Sequence, residues 1–133
     1  MSRVNYRVTA DFSAAELWCL CADCDRGGVQ TVPSPNIMTL LQRMRDSMGI
    51  PLRVIDGVRC AKHNASVGGA AGSRHVPENG GDAVDVECAD SGIRYHLVAF
   101  ALAYGVPFVE VCPNHVHLDA RPGDPRLITG TDH

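Results

Sequence analysis

The sequence has no apolar run long enough to cross a membrane. The longest, Leu97 to Val109, covers thirteen residues and is interrupted by Gly105 and Pro107, against the ~18–20 a spanning helix needs. It also lacks a surplus of basic charge. Twelve Lys and Arg against fifteen Asp and Glu leave a formal net charge of -3. With no basic run and no interleaving of basic and aromatic residues, a nucleic-acid partner is not expected. The opening MSRVNYRVTADF holds no apolar core of the kind a secretory leader carries, so cytoplasmic synthesis without membrane insertion is expected. Internal repeats and low-complexity segments are absent as well. At 45% hydrophobic and 20% charged residues the composition is that of a globular chain and not of a disordered one. A length of 133 residues suits a single domain, 1–133, able to bury a true core.

Cysteine, by contrast, is plentiful: Cys19, Cys21, Cys24, Cys60, Cys88 and Cys112. Three of them crowd into CLCADC. Without a leader, metal binding or plain reduced thiols outweigh a disulfide framework. Cys60 is the obvious fourth ligand for a structural zinc held with Cys19, Cys21 and Cys24. The competing reading is a set of small half-buried thiols near a helix end.

Local patterns outline the elements. Ser13-Ala14-Ala15-Glu16 fits a capping box opening a short helix. Ser34-Pro35 reads as N-cap and first helical position, with Ile37, Leu40, Leu41, Met44 and Met48 at helical spacing behind it and Gly49 as the stop. Pro51–Asp56 reads as a strand leading into a long Gly-rich loop, Gly57–Gly81, of the kind that is usually functional. Ala83–Cys88 alternates as a strand, Ser91–Tyr104 reads as a second amphipathic helix, and Phe108–Cys112 and His115–Asp119 as two strands about a Pro113-Asn114 turn. The tail from Pro122 is expected to be irregular. The fold class is α+β, a small antiparallel sheet with packed helices.

Histidines and acids carry the chemistry. His75 stands in the Gly-rich loop, Asp82 and Asp85 follow, and His115 and His117 lie two apart on a strand, so both imidazoles share one face. A loop histidine, a carboxylate at a strand start and a histidine from a neighbouring strand make a three-ligand zinc site. The fourth position is then open to water, which is the catalytic arrangement.

The blocks RVIDGVRCAKHNASVGGAAGSRH, GDAVDV and FVEVCPNHVHLD occur in the order found in the zinc D-Ala-D-Ala carboxypeptidase and murein endopeptidase family, whose fold is shared with the Hedgehog signalling domain. The resemblance spans about residues 12–120, and DFSAAEL with its following cysteines is similar to the opening of small phage-type members. It implies a Hedgehog/D,D-peptidase-like fold and one catalytic zinc held by His75, Asp85 and His117. Family spacing from the first histidine would land on Asp82. The G-x-A-x-D motif instead selects Asp85 through Gly81 and Ala83, with Pro77-Glu78-Asn79 as an insertion and Asp82 as the fallback. The family's general base lies shortly before the last histidine. Glu110, seven positions before His117, is the only acid in that window, while Asn114 stands three before. A one-residue bulge near Pro113 would reconcile Glu110 with the family; the alternative is a solvated strand residue.

Arg59 matches the arginine of the family's S-G-Y-R block, with Val58 and Asp56 replacing its tyrosine and serine. The resemblance makes it a substrate or oxyanion ligand, against a salt bridge to an acid of its own loop. Ser73 would hold substrate or the loop, and His115 would bind the oxyanion or orient a ligand. The implied activity is hydrolysis of peptidoglycan stem peptides, as a D,D-carboxypeptidase or an L-alanyl-D-glutamate-type endopeptidase. It would act at the cell wall during phage or prophage lysis, once a holin-type partner releases the protein. A second reading is a zinc-holding module of the same fold without hydrolysis, serving binding or phage structure, and Glu110 discriminates the two. A thiol redox module built on CLCADC leaves His75, Asp85 and His117 unexplained.

Overall fold

The computed structural model describes residues 3–130. β1 (Arg7–Thr9) and β2 (Phe12–Ser13) pair antiparallel, and a single 3-10 turn follows at Ala14–Glu16. That turn is the expected capping box, with the Glu16 carboxylate accepting from the Ser13 backbone N–H at 3.2 Å. α1 (Ala22–Asp25) carries Cys24, and α2 (Pro35–Met48) runs between the Ser34 cap and Gly49. Gly49 takes φ +67° and returns its N–H to the Arg45 carbonyl, the left-handed stop that glycine supplies at least cost. β3 (Val54–Asp56), α3 (Ala61–Ser66), β4 (Ala83–Glu87), α4 (Ser91–Ala103), β5 (Phe108–Val111), β6 (His115–Asp119) and β7 (Arg126–Thr129) complete the order.

Five strands form the main sheet in the order β3-β4-β6-β5-β7, with every pairing antiparallel except β5 with β7. α2 and α4 cover one face. Ile37, Met38, Leu41 and Met44 of α2 and Leu97 and Ala101 of α4 pack on Val84, Val86, Val109, Val116 and Leu118 of the sheet. Period-two alternation therefore sends Asp85, His115, His117 and Asp119 to the opposite face, where all four are nonetheless buried. The loop after β3, carrying Arg59 and His75, lies over that face. No helix among the described residues is long and apolar enough to cross a membrane.

Three expectations need correction. The tail is not irregular throughout: Arg126–Thr129 forms β7 along β5, a pairing dictated by the free edge of β5 and not by any pattern in four exposed residues. The Gly57–Gly81 segment is not wholly loop, since α3 starts on the Cys60 cap, whose sulfur accepts from the His63 N–H, and Pro77–Asn79 makes a 3-10 turn. No bulge occurs near Pro113. The β5/β6 register runs unbroken from Phe108–Asp119 to Val111–Val116, and the irregularity lies between Val54 and Asp56 of β3 instead.

Candidate metal centre

The sheet register builds the site. Asp85 pairs with His117 across β4/β6, and Glu110 pairs with His117 across β5/β6. Directly paired residues point to the same face, so Asp85, His117 and Glu110 form one row, with Asp56 of β3 beyond Asp85. His75 descends onto this row from the loop. Ser73 shapes that descent: its hydroxyl oxygen accepts the His75 backbone N–H at 3.3 Å.

The ring of His75 is held by its Nδ1, which lies 2.6 Å from the Gly57 carbonyl oxygen. A carbonyl only accepts, so Nδ1 carries the proton and, in the neutral imidazole that a metal requires, Nε2 keeps a free lone pair. Nε2 is buried and has no hydrogen-bond partner, yet it stands 3.3 Å from Asp85 Oδ1. Two acceptor atoms facing each other in a dry site call for a cation between them. His117 is clasped on both sides, with Nδ1 2.8 Å from Asp85 Oδ1 and Nε2 2.7 Å from Asp119 Oδ2. One donor atom each from His75, Asp85 and His117 lies within 4.8 Å of the others. Bonds of ~2.1 Å to a tetrahedral zinc would set such atoms ~3.4 Å apart. The donor set, its spacing and the orphaned Nε2 fit zinc.

Asp119 is the residue the sequence reading missed. It is fully buried, and Arg121 grips it with Nε at 2.8 Å and Nη2 at 2.6 Å. The Arg121 guanidinium also lies 3.5 Å over the Phe108 ring, whose edge meets His117. A histidine ligand that gives its second N–H to a carboxylate is fixed in tautomer and orientation. The H-x-D spacing on β6 was the available signal, because residues two apart on a strand share a face.

The other expected residues fall around this core. Asp82 is tied to Arg74, at 3.0 Å and 2.5 Å, and stays out of the cluster. Arg59 is buried, bound to Asp56 (Nε to Oδ2, 2.6 Å) and to Asn64 (3.0 Å), and reaches Asp85 Oδ2 at 3.9 Å. His115 places Nδ1 2.7 Å from Asn114 Oδ1 and Nε2 3.8 Å from Asp85 Oδ2. Glu110 is half-buried and packs so closely on Gly130 that a Cβ there would collide with its carboxylate. A cleft of about 250 Å³ lined by Trp18, Ile55, Asp56, Arg59 and His63 opens beside this face, and none of His75, Asp85 and His117 is in its walls.

The charges interlock. Burial pulls His117 down, but its hydrogen bonds to Asp119 and Asp85 outweigh it and carry the imidazole up to about 9. Burial likewise pushes Asp119 up, and Arg121 and His117 more than offset this, bringing it to about 2. Asp85 is also held well below the usual carboxylate range, the flanking imidazoles overcoming burial. His117 thus has a folded value above its unfolded 6.5. In chelator-stripped protein its contribution is complete below that pH and is lost as pH rises through about 9. The Asp119 contribution is present above 3.8 and is lost as pH falls through about 2. Urea unfolding of the stripped protein is therefore expected to show roughly 3 kcal/mol of stability disappearing between neutral and alkaline pH. Asp119→Asn should flatten that slope and weaken zinc binding at the centre by ~10–100-fold; an unchanged slope would refute the clasp.

A family model described as peptidase M15 matches residues 10–119. No curated protein matches the chain. The matched span runs from the turn between β1 and β2 to the last residue of β6 and takes in His75, Asp85, His117 and Asp119. M15 peptidases bind zinc, and the buried histidine–carboxylate cluster falls inside the match. The chain belongs to the peptidase M15 family and is a zinc metallopeptidase.

Proposed function

We propose that the protein hydrolyses stem peptides of peptidoglycan, as a D,D-carboxypeptidase or an L-alanyl-D-glutamate-type endopeptidase, at the cell wall in phage or prophage lysis after release by a holin-type partner. The observation that carries the catalytic part is the row Asp85–His117–Glu110 beneath the lone pair of His75. His75, Asp85 and His117 are the proposed ligands. Bound zinc supplies Lewis acidity and lowers the pKa of its water from 15.7 towards ~7.

Glu110 lies across the strand pair from His117 on the same face. From there its carboxylate takes the proton of the attacking water and returns it to the leaving amine, as general base and then general acid. Gly130 against that carboxylate limits where it can swing. Arg59, anchored by Asp56 and Asn64, stands behind Asp85 and fixes the orientation of that ligand, while its charge favours the oxyanion. His115 braces Asp85 from the other side. Ser73 acts through the loop, by presenting His75.

The test is digestion of purified muropeptides, with product masses identifying the bond cut. Glu110→Gln should bind zinc normally and lose ~10²–10⁴-fold in kcat. Full activity in that variant would remove Glu110 from the mechanism, and intact muropeptides with the zinc-loaded wild type would remove the substrate class.

A further inference from the structure

Cys19, Cys21, Cys24 and Cys60 bring their sulfur atoms within 4.8 Å of one another. Three come from one short stretch around α1, and the fourth caps α3. None is paired covalently. Cys21 Sγ and Cys60 Sγ stand 3.6 Å apart, far from the ~2.05 Å of a disulfide. That separation is close to the ~3.8 Å edge of a tetrahedron whose centre bonds each sulfur at ~2.3 Å.

Backbone N–H groups reach two of the sulfurs. Cys19 Sγ accepts the N–H of Cys60 at 3.3 Å. Cys60 accepts from His63 at 3.3 Å. Two of the four sulfurs thus accept a backbone N–H, the contact that stabilises a metal-bound thiolate. Val58 and Val29 close the cluster from the side, and outside it Lys62 is paired with Asp23 at 2.7 Å. The half-buried thiols expected of a mere helix end would not show this four-fold convergence. Cys88 and Cys112, buried elsewhere, lie outside the cluster.

We propose that these four cysteines bind a structural zinc, separate from the histidine–aspartate centre and closed to substrate. Four Zn–S bonds form as thiol protons leave to solvent, with no change of oxidation state. The ion would tie the segment after the 3-10 turn to Cys60, next in sequence to Arg59. The inference stands on the sulfur cluster and not on the proposed reaction.

The experiment uses the full chain. Elemental analysis should find two zinc ions per chain in the wild type and one in His117→Ala. His117→Ala loaded with cobalt should show near-ultraviolet thiolate-to-cobalt charge-transfer bands and intense visible bands, both missing from Cys21→Ser/Cys24→Ser. Should that double variant fail to fold, titration of wild type with a mercurial reagent decides, releasing one zinc as four thiols react. Bound cobalt without thiolate bands, a metal-free His117→Ala, or disulfides among these four cysteines after isolation in reductant would overturn the proposal. One metal with thiolate bands, indifferent to His117→Ala, would uphold it and sink the histidine centre instead.

Discussion

Replacing His117 with alanine is expected to empty the histidine–aspartate centre and to abolish peptide hydrolysis, a loss well beyond the ~10–100-fold typical of changes around a metal's ligands. His117 is the keystone of the site: one nitrogen faces Asp85, the other Asp119. Its removal leaves Asp119 to Arg121 alone, and Asp85 then keeps only Arg59 at 3.9 Å and the two remaining imidazoles near it. Unpaired buried charge is costly, so stability of the stripped protein should fall too. His75→Ala should be equally inactive but gentler on stability, because His75 is tied only to the Gly57 carbonyl, whereas His117 is clasped by two carboxylates. Zinc content, muropeptide turnover and urea unfolding of both variants check this. A His117→Ala protein that retains turnover would dismiss the proposed ligand set.

Gly57→Ala is the second large effect, and here the cause is steric. Gly57 presses on the backbone of Leu17: an added Cβ would collide with the Leu17 carbonyl oxygen and lie 3.0 Å from Leu17 C and Cα. Nothing can swing aside, since these are main-chain atoms and the same carbonyl accepts the Val58 N–H at 2.8 Å. The Gly57 carbonyl in turn holds His75 Nδ1. A loss of about 3 kcal/mol or more is expected, with weaker zinc binding at the histidine centre. Gly72→Ala is the control in the same loop, because a Cβ there meets nothing within 4 Å and the change should be neutral or slightly stabilising. Equal unfolding midpoints for the two would defeat the argument.

Elements whose causes are local were readable in the sequence. α2 announced itself through Ser34, Pro35 and Gly49 around a single apolar stripe, and β4 and β6 through strict alternation, which also separated the site face from the core face. The G-x-A-x-D motif singled out Asp85, and the structure brings Asp85, not Asp82, between His75 and His117. What escaped depended on partners distant in the chain. β7 exists because β5 offers an edge, not because Arg126–Thr129 alternates. β1 and β2 are too short to carry a period. Glu110 meets His117 through an ordinary antiparallel register, so no bulge was needed to bring them together. The partners of Arg59 illustrate the same limit: the sequence allowed either a substrate contact or a salt bridge within the loop, and only packing shows Asp56, Asn64 and Asp85 around it.

The pairing of β4 with β6 also sets an order in time. Asp85 and His117 are 32 residues apart along the chain, and closing so long a loop is a late, entropically opposed step in folding. Until that hairpin-spanning contact forms, no pocket of matching donors exists for an ion to find. Cys19, Cys21 and Cys24 fall within one short stretch of sequence and can meet while the rest of the chain is still searching, although Cys60, 39 residues from Cys21, must still close on them. The histidine centre is thus a berth that the finished fold offers and not a nail driven in to make it. An ion bound there would load onto a chain already folded.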